Sequence, residues 1–219
     1  EPRIEATRRA VELLGDPQRS FRVIHITGTN GKGSTARIAD ALLRAHGLRT
    51  GLLTSPHLER VNERITIDGE PVSDEAFARG YEDVEPFLQM VDAELAERGE
   101  RRLTFFEAFT VLAFAVMADA PVDVAVLEVG MGGTWDSTNV ADGDVAVITP
   151  IALDHTNRLG STVEAIAREK AGIIKADAIV VSAAQQPEAL AVLEARVAEV
   201  GARLLLDGRD FSLEAQSVA

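Results

Sequence analysis

One glycine-rich segment with a single lysine separates an apolar run at 21–26 from a stretch that favours a helix. It reads Gly28-Thr29-Asn30-Gly31-Lys32-Gly33-Ser34. The backbone N–H groups of such a turn point inward, and a following helix N-terminus adds partial positive charge to that of the lysine. The segment therefore predicts a binding site for the phosphates of a nucleoside triphosphate. In ordinary phosphate loops a hydroxyl follows the lysine directly, whereas here Gly33 intervenes, so kinases and GTPases fit poorly.

Polar or permissive residues follow three further apolar strand candidates. Ser55 and Pro56 come after the run at 50–54, a loop with three glycines and Trp135 follows 122–129, and His155 lies shortly after 144–149. Ligands of parallel α/β sheets bind beyond the carboxyl ends of the strands. We therefore expect four loops to converge on one site at the same edge of the sheet.

Three side chains near these strand ends could bind a metal ion. Glu128 ends an apolar strand, where a carboxylate is costly unless it is paired or metal-bound, and hard oxygen ligands suit Mg²⁺ beside phosphate. A neighbouring arginine or the backbone could satisfy it instead. Ser55 could be a hydroxyl ligand or cap the turn before Pro56. A lone histidine such as His155 more often forms a hydrogen bond in the core, and imidazole is not a usual Mg²⁺ ligand.

Two further side chains have both a functional and an ordinary interpretation. Trp135, the only tryptophan, could stack on a flat heterocycle or pack against the core. Lys170 lies in a predicted helix at 163–172 that runs back toward the same edge of the sheet. An exposed lysine usually pairs with a surface acid, here Glu169 or another one.

Strand and helix patterns alternate along the chain. Short apolar strands covered by helices indicate an α/β fold of the P-loop NTPase-like kind, with a mostly parallel sheet and helices on both faces. We expect one domain, with strands at 21–26, 50–54, 64–67, 122–129, 144–149, 178–181 and 203–206 and helices at 4–14, 34–45, 74–97, 105–118, 163–172 and 188–200. A turn at Asp68-Gly69 follows the third strand.

The composition is that of a globular protein. The 219 residues include 46% hydrophobic and 26% charged residues, and the net charge of −13 disfavours a nucleic-acid partner. The absence of cysteine excludes disulfides, thiolate metal sites and a cysteine nucleophile. No apolar run reaches membrane-spanning length and no signal-peptide pattern is present, so we expect a cytoplasmic enzyme, a monomer without a membrane partner.

Taken together, the motifs resemble folylpolyglutamate synthase and its bifunctional dihydrofolate synthase forms, of the Mur ligase superfamily. The matching segments cover most of the chain, at 28–35, 54–65, 103–107, 128–139, 153–160 and 168–174. The resemblance implies a ligase in which ATP phosphorylates a carboxylate of folate or dihydropteroate. The amino group of L-glutamate then attacks the acyl phosphate to form an amide.

The resemblance also implies roles for individual residues. Lys32, Glu128, His155 and Lys170 would be catalytic, and Lys170 falls where these ligases carry a carbamylated lysine. Mg²⁺ would be held by Ser55, Glu128 and His155. The ATP phosphates would lie against Thr29, Asn30, Gly31, Lys32, Gly33 and Ser34, and the pterin or folate against Thr104, Trp135, Asp136 and Ser137.

The chain departs from the family pattern in two ways. Thr134 occupies a position that is commonly basic, and the family's enzymes are about twice as long as 219 residues. The sequence therefore predicts that 1–219 is an N-terminal ATP-binding domain of the Mur-ligase central type, incomplete and without the C-terminal ligase domain. Two alternatives remain open: a Mur-type ligase for a peptidoglycan precursor, and a Mg-ATP-binding fragment without ligase activity.

Overall fold

Short apolar segments supply all the strands of the computed structural model except β4, and the model describes residues 3–212. These residues form one eight-stranded sheet. The strands are β1 (Arg22–Thr27), β2 (Thr50–Leu53), β3 (Ile65–Ile67), β4 (Glu70–Pro71), β5 (Val124–Glu128), β6 (Val145–Ile148), β7 (Ile179–Ser182) and β8 (Arg203–Leu206).

The order of the strands is β4-β3-β2-β5-β1-β6-β7-β8. All neighbours from β2 to β8 pair in parallel, and only β3 and β4 at one edge are antiparallel. The predicted mostly parallel sheet is confirmed. Because β2, β5, β1 and β6 are adjacent and parallel, the four loops singled out in the sequence leave the sheet at one edge.

Helices cover both faces of the sheet, as predicted. They are α1 (Glu5–Leu13), α2 (Lys32–Ala45), α3 (Asp74–Glu97), α4 (Phe105–Asp119), α5 (Thr156–Leu159), α6 (Val163–Lys170) and α7 (Pro187–Val200). None of the helices within residues 3–212 is long and apolar enough to cross a bilayer.

Successive strand residues point to opposite faces, and this alternation assigns the helices to their faces. In β1, Val23 packs with α1, α3 and α4, whereas Ile24 and Ile26 pack with α2. In β6, Ala146 joins α6 and α7, whereas Val147 joins the α2 side. Helix α2 therefore covers one face, and α1, α3, α4, α6 and α7 cover the other. Glu128, two residues after Val126, faces α2.

Two helix boundaries that matter for the site differ from the sequence prediction. Helix α2 begins at Lys32 and not at 34, so Lys32 and Gly33 form its first turn. Helix α6 ends at Lys170, and a 3-10 turn, Ala171–Ile173, follows it. The predicted turn at Asp68-Gly69 joins β3 to β4, and both of its residues have positive φ, 52° and 84°.

Candidate functional site

The glycine-rich loop connects the end of β1 to α2. Gly31 caps the helix with φ 85°, a left-handed conformation that favours glycine, and among the described residues no side chain caps α2. The first N–H groups of a helix lack partners within the helix, and its dipole favours an anion there. Asn30, Gly31 and Ser34 are exposed, and Gly33 is half-buried. The predicted phosphate-binding residues therefore form one accessible helix start.

A neighbouring strand end holds the loop in place. The backbone N–H of Thr29 donates to the Pro150 carbonyl at 3.0 Å. The Thr29 hydroxyl donates to the Ala152 carbonyl and accepts from the Ala152 N–H, both at 3.0 Å. The loop after β6 thus fixes the phosphate loop at the edge of the sheet, as the convergence of the four loops predicted.

Two lysine side chains meet at the phosphate loop. The Nζ atom of Lys170 donates to the Gly28 carbonyl at 2.8 Å, and that of Lys32 donates to the Gly28 and Thr29 carbonyls at 3.2 and 3.3 Å. Lys170 is only 4% exposed. Burial, and then the charge of Lys32, lower its pKa to about 8. The interpretation of Lys170 as an exposed lysine paired with Glu169 is wrong, because α6 carries it into the site.

Glu128 presents a buried carboxylate to the first turn of α2. Its Oε2 accepts the Ser55 N–H at 3.0 Å, and within residues 3–212 its Oε1 accepts no hydrogen bond. A Cβ atom placed on Gly33 would lie 3.4 Å from both carboxylate oxygens. Burial raises the pKa of Glu128 against the opposing effects of the Ser55 N–H and of Lys32 and Arg37. The structure therefore brings Ser55, Glu128 and the phosphate loop together.

His155 lies on the loop after β6, where it precedes α5 with φ 45°. Its side chain is half-exposed, and its Nε2 lies 3.6 Å from the Asp154 carboxylate. The alternative of a buried core histidine is therefore wrong. No contact of this ring with Ser55 or Glu128 is formed among the described residues, and no cluster of three or more carboxylate or imidazole groups is found there.

The four residues predicted for the pterin site line one cleft. The cleft has a volume of about 1100 Å³ and reaches from Ser55 and Gly130 to the segment before α4. Thr104, Trp135, Asp136 and Ser137 all line it. Ser55, which lines the cleft, donates its N–H to the buried carboxylate of Glu128, so the cleft begins beside that carboxylate. Its volume has room for a ligand the size of a pterin with an extended tail.

Asp136 is the most constrained side chain of this cleft. It is 3% exposed, and its carboxylate accepts the Thr138 N–H at 3.0 Å, the Thr138 hydroxyl at 2.5 Å and the Met131 N–H at 3.0 Å. Burial nevertheless raises its pKa. Because the Thr138 hydroxyl donates to Asp136, it accepts from Nε2 of the fully buried His25, 2.8 Å away. Sequence patterns gave no signal for this chain of hydrogen bonds.

The glycine loop after β5 packs against the end of α6. A Cβ atom on Gly133 would lie 2.6 Å from the Glu169 carbonyl oxygen, so only glycine permits this approach. The hydroxyl and N–H of Thr134 both donate to that same carbonyl. Thr134 is therefore turned toward α6. Trp135 is half-buried. It lines the cleft, and it also packs against the core on the α6 side, as one of its two interpretations predicted.

Two further residues of the cleft, Arg3 and Glu107, were not predicted, and both are linked to Thr104. Thr104 caps α4, and Glu107 returns the contact by accepting the Thr104 N–H at 2.6 Å. Glu107 also accepts from Arg3, 104 positions earlier, at 2.9 Å. The capping pattern Thr-x-x-Glu could have revealed the first pair. Nothing in the sequence connects Arg3 with Glu107.

Solved and curated proteins resemble the whole of this chain. It is 44% identical over 228 residues to the dihydrofolate synthase/folylpolyglutamate synthase of Mycobacterium tuberculosis (strain ATCC 25618 / H37Rv), covering 100% of this chain and 47% of that protein. The folylpolyglutamate synthase structure of M. tuberculosis with ADP and AMPPCP superposes with a TM-score of 0.94 at 44% identity, covering 100% of this chain and 50% of that one. An FPGS–AMPPCP–folate complex gives a TM-score of 0.89 at 44% identity, covering 97% and 52%.

The chain spans about half the length of the curated relatives it matches. The model of the Mur ligase middle domain matches residues 26–203, which include every strand from β2 to β7 and the whole loop edge described above. The chain belongs to the Mur ligase family, and it carries that family's middle domain.

Proposed function

We propose that this chain is the ATP-binding part of a ligase that adds L-glutamate to folate, to dihydropteroate or to both. One observation carries the proposal: two lysines and a buried carboxylate surround one phosphate loop, and the acceptor cleft opens directly beside them. The relatives named for this activity, and their complexes with ADP, AMPPCP and folate, support it.

ATP would bind with its phosphates at the start of α2. The N–H groups of 29–34 and the helix dipole suit an anion. The Nζ atom of Lys32, which donates to the loop carbonyls in this structure, would instead donate to a phosphate oxygen of ATP. This local positive site is needed because the chain as a whole, at −13, repels a nucleotide.

Mg²⁺ fits the residues beside this loop. One carboxylate oxygen of Glu128 accepts no hydrogen bond among the described residues, and the backbone of Ser55 contacts the other. This carboxylate and the hydroxyl of Ser55 are hard oxygen donors, which Mg²⁺ prefers. His155 would complete the set from the loop after β6. A magnesium ion held there would neutralise charge on the phosphates. Glu128 and Ser55 would orient the nucleotide against the cleft.

The reaction would proceed in two steps. An acceptor carboxylate oxygen attacks the γ-phosphorus of ATP, the bond from that phosphorus to the bridging oxygen breaks, and ADP leaves with the bonding electrons. The amine of L-glutamate then attacks the acyl carbon, inorganic phosphate leaves, and the nitrogen loses a proton. Lys32 would stabilise charge on the transferring phosphoryl group.

We also propose that Lys170 is carbamylated. Carbon dioxide reacts with the neutral amine, and burial lowers the pKa of Lys170 to about 8, so far more neutral amine exists near neutral pH than for an exposed lysine. The carbamate would replace a buried cation with an anion next to Lys32. Mass spectrometry of the intact chain in bicarbonate should show one added CO₂, which Lys170→Met should remove.

The acceptor would lie in the cleft with its heterocycle against Trp135, Asp136, Ser137 and Thr104. Asp136 offers a fixed carboxylate to heterocycle N–H groups, and Trp135 offers a ring face. We infer a monomeric, cytoplasmic protein whose partners are ATP, L-glutamate and a folate or dihydropteroate.

The test is mass analysis of products formed from Mg-ATP, L-glutamate and a panel of dihydropteroate and reduced folates. A product heavier by one glutamyl residue, absent without ATP, would support the proposal and identify the acceptor. Mg-ATP binding without any binding of the panel would contradict it. Binding of both Mg-ATP and a folate without product would limit this chain to substrate binding.

A further inference from the structure

In the part of the chain that the structure describes, five arginines and two carboxylates line the cleft. The arginines come from four separate parts of the sequence, namely Arg3, Arg64, Arg101, Arg102 and Arg158. The carboxylates are those of Glu107 and Asp136. The cleft is therefore lined by more positive than negative side chains, although the chain as a whole has a net charge of −13.

Two of the five arginines have structural partners. Arg3 forms ion pairs with Glu107 at 2.9 Å and Glu100 at 3.4 Å. Arg64 donates to Nδ1 of His57 at 2.7 Å and lies over the ring of Phe105, 5.4 Å from its centre. These guanidinium groups hold the walls of the cleft together.

Arg101, Arg102 and Arg158 are different. All three are exposed, and within residues 3–212 none of them forms an ion pair. Some exposed arginines elsewhere do pair with acids, as Arg9 does with Glu94 and Arg60 with Asp74, whereas Arg203 does not among the described residues. Both carboxylates of the cleft are already committed, Glu107 to Arg3 and Thr104, and Asp136 to Thr138 and Met131. The three arginines are therefore available to a ligand.

The number of carboxylates on the acceptor determines what these arginines can bind. A pteroate carries one carboxylate, and that one must take the phosphoryl group. A folate has a spare α-carboxylate besides the reacting one, and each further γ-linked glutamyl residue adds another. A guanidinium binds a carboxylate through two parallel N–H···O bonds, so unpaired arginines match spare carboxylates.

Resting on the function proposed above, we propose that Arg101, Arg102 and Arg158 bind the α-carboxylates of an existing glutamyl tail. The site is then built for folates that already carry glutamate, and pteroate is the poorer acceptor. The heterocycle lies at Trp135 and Asp136, and the tail passes the segment before α4 and the helix α5.

The test measures affinity against tail length by calorimetry, with AMPPCP and Mg²⁺ present. The probes are pteroate, pteroylmonoglutamate and pteroyltriglutamate. The wild-type chain should bind the triglutamate at least about tenfold more tightly than pteroate, since one charge-assisted contact is worth about that factor. The double variant Arg101→Gln/Arg102→Gln should lose most of this difference while its affinity for pteroate stays unchanged. Arg158→Gln should reduce it in part.

Arg203→Gln is the matched control, because Arg203 is also exposed but begins β8 at the far edge of the sheet. It should keep the wild-type dependence on tail length. Thermal midpoints and AMPPCP affinity establish that every variant is folded. As a second measurement, salt should reduce the wild-type preference for the triglutamate and leave pteroate binding less affected.

The possible failures point to different errors. Equal affinity of the wild type for all three probes, or an unchanged preference in the double variant, would overturn this inference and leave the folate acceptor intact. Binding of none of the pteridines, with AMPPCP still bound, would overturn the proposed acceptor and this inference together.

Discussion

Glu128 and Lys170 are opposite charges that are both buried at the phosphate loop, and burial shifts their pKa values in opposite directions. It raises that of Glu128 and lowers that of Lys170, so each is driven toward its neutral form. Such groups are costly to fold unless a ligand compensates for them. Their placement at 5% and 4% exposure therefore points to function at this edge of the sheet.

Glu128→Gln tests the metal assignment. The amide still accepts the Ser55 N–H but lacks the charge, so Mg²⁺ affinity should fall at least about tenfold, the worth of a charge-assisted contact. ADP release should be lost, while the thermal midpoint should not fall, because a carboxylate that burial destabilises has been removed. Glu164→Gln, on the exposed side of α6, is the control. Near-normal Mg²⁺ dependence of ATP binding in Glu128→Gln would contradict the assignment.

Lys170→Met should stabilise the chain and disable the site. The folded pKa of about 8 lies below the ordinary 10.5, so between these values the unfolded chain binds more protons and wild-type stability rises with pH. Below pH 8 the penalty for the buried ammonium is fully present. We expect Lys170→Met to raise the free energy of unfolding there by about 1–3 kcal/mol.

The gain should disappear above pH 10.5, where the lysine is neutral in both states. Urea unfolding across this range measures the gain, in buffers free of carbon dioxide so that Lys170 keeps an unmodified amine. A gain of equal size on both sides of the window would mean that the improvement comes from packing and not from the removed charge.

At the residue scale the sequence predicted the types of the site residues better than their environments. Glu128 could be identified because a carboxylate interrupts an apolar strand. Lys170 looked like a surface lysine because its burial depends on α6 packing against the loop after β5, a contact between residues 34 to 37 positions apart. For His155 the residue type alone favoured a core position, because a single histidine carries no periodic signal, whereas the family resemblance predicted a place in the metal site.

At the scale of elements, α4 begins with reciprocal hydrogen bonds that also shape the cleft. The Thr104 hydroxyl accepts the Glu107 N–H at 3.3 Å, and Glu107 accepts the Thr104 N–H at 2.6 Å. Arg3 holds the other oxygen of the same carboxylate. The start of one helix is thereby tied to the N-terminal segment across the cleft wall.

Thr104→Ala should therefore weaken the fold as well as the site. Loss of an N-cap hydroxyl costs about 1 kcal/mol of unfolding free energy. Thr104→Ser keeps the hydroxyl and should remain within a few tenths of the wild type. Urea unfolding compares the two variants. If both lose the same stability, the methyl group and not the cap is responsible.

The strands that bear the site were predictable because each is a short apolar run before polar residues, and the parallel order follows from the intervening helices. Two small elements were missed. Strand β4 is Glu70–Pro71, which has no apolar alternation, and α5 is a single turn, Thr156–Leu159. The arginine lining of the cleft was also missed, since it is assembled from segments about 40 to 60 positions apart that no local pattern connects.

For the whole molecule, the hydrogen-bonded chain from Asp136 to His25 ties the cleft to the centre of the sheet. His25 lies in the central strand β1, pairs in register with Leu127 and Ala146, and is fully buried. Its Nε2 donates to Thr138, and within residues 3–212 its Nδ1 has no partner. Burial, and then the charge of Lys175, lower the pKa of His25 to about 3.

This imidazole should make the whole fold sensitive to acid. Between the ordinary pKa of 6.5 and the folded value of about 3, the unfolded chain binds more protons, so stability falls as the pH is lowered through this window. Toward the lower end of this window ordinary carboxylates also begin to take up protons. The raised pKa values of Glu128 and Asp136 act in the opposite sense. The contribution of His25 is therefore best isolated by comparing variants.

His25→Gln keeps an N–H donor for Thr138 but cannot titrate. Its free energy of unfolding should fall less than that of the wild type between pH 6.5 and pH 4.5, and the difference between the two should widen by more than 1 kcal/mol per pH unit once the unfolded histidine is fully protonated. His46→Gln, which removes an exposed imidazole after α2, is the matched control. Parallel curves for His25→Gln and wild type would show that His25 takes up its proton within the folded sheet, and would contradict the lowered pKa of His25.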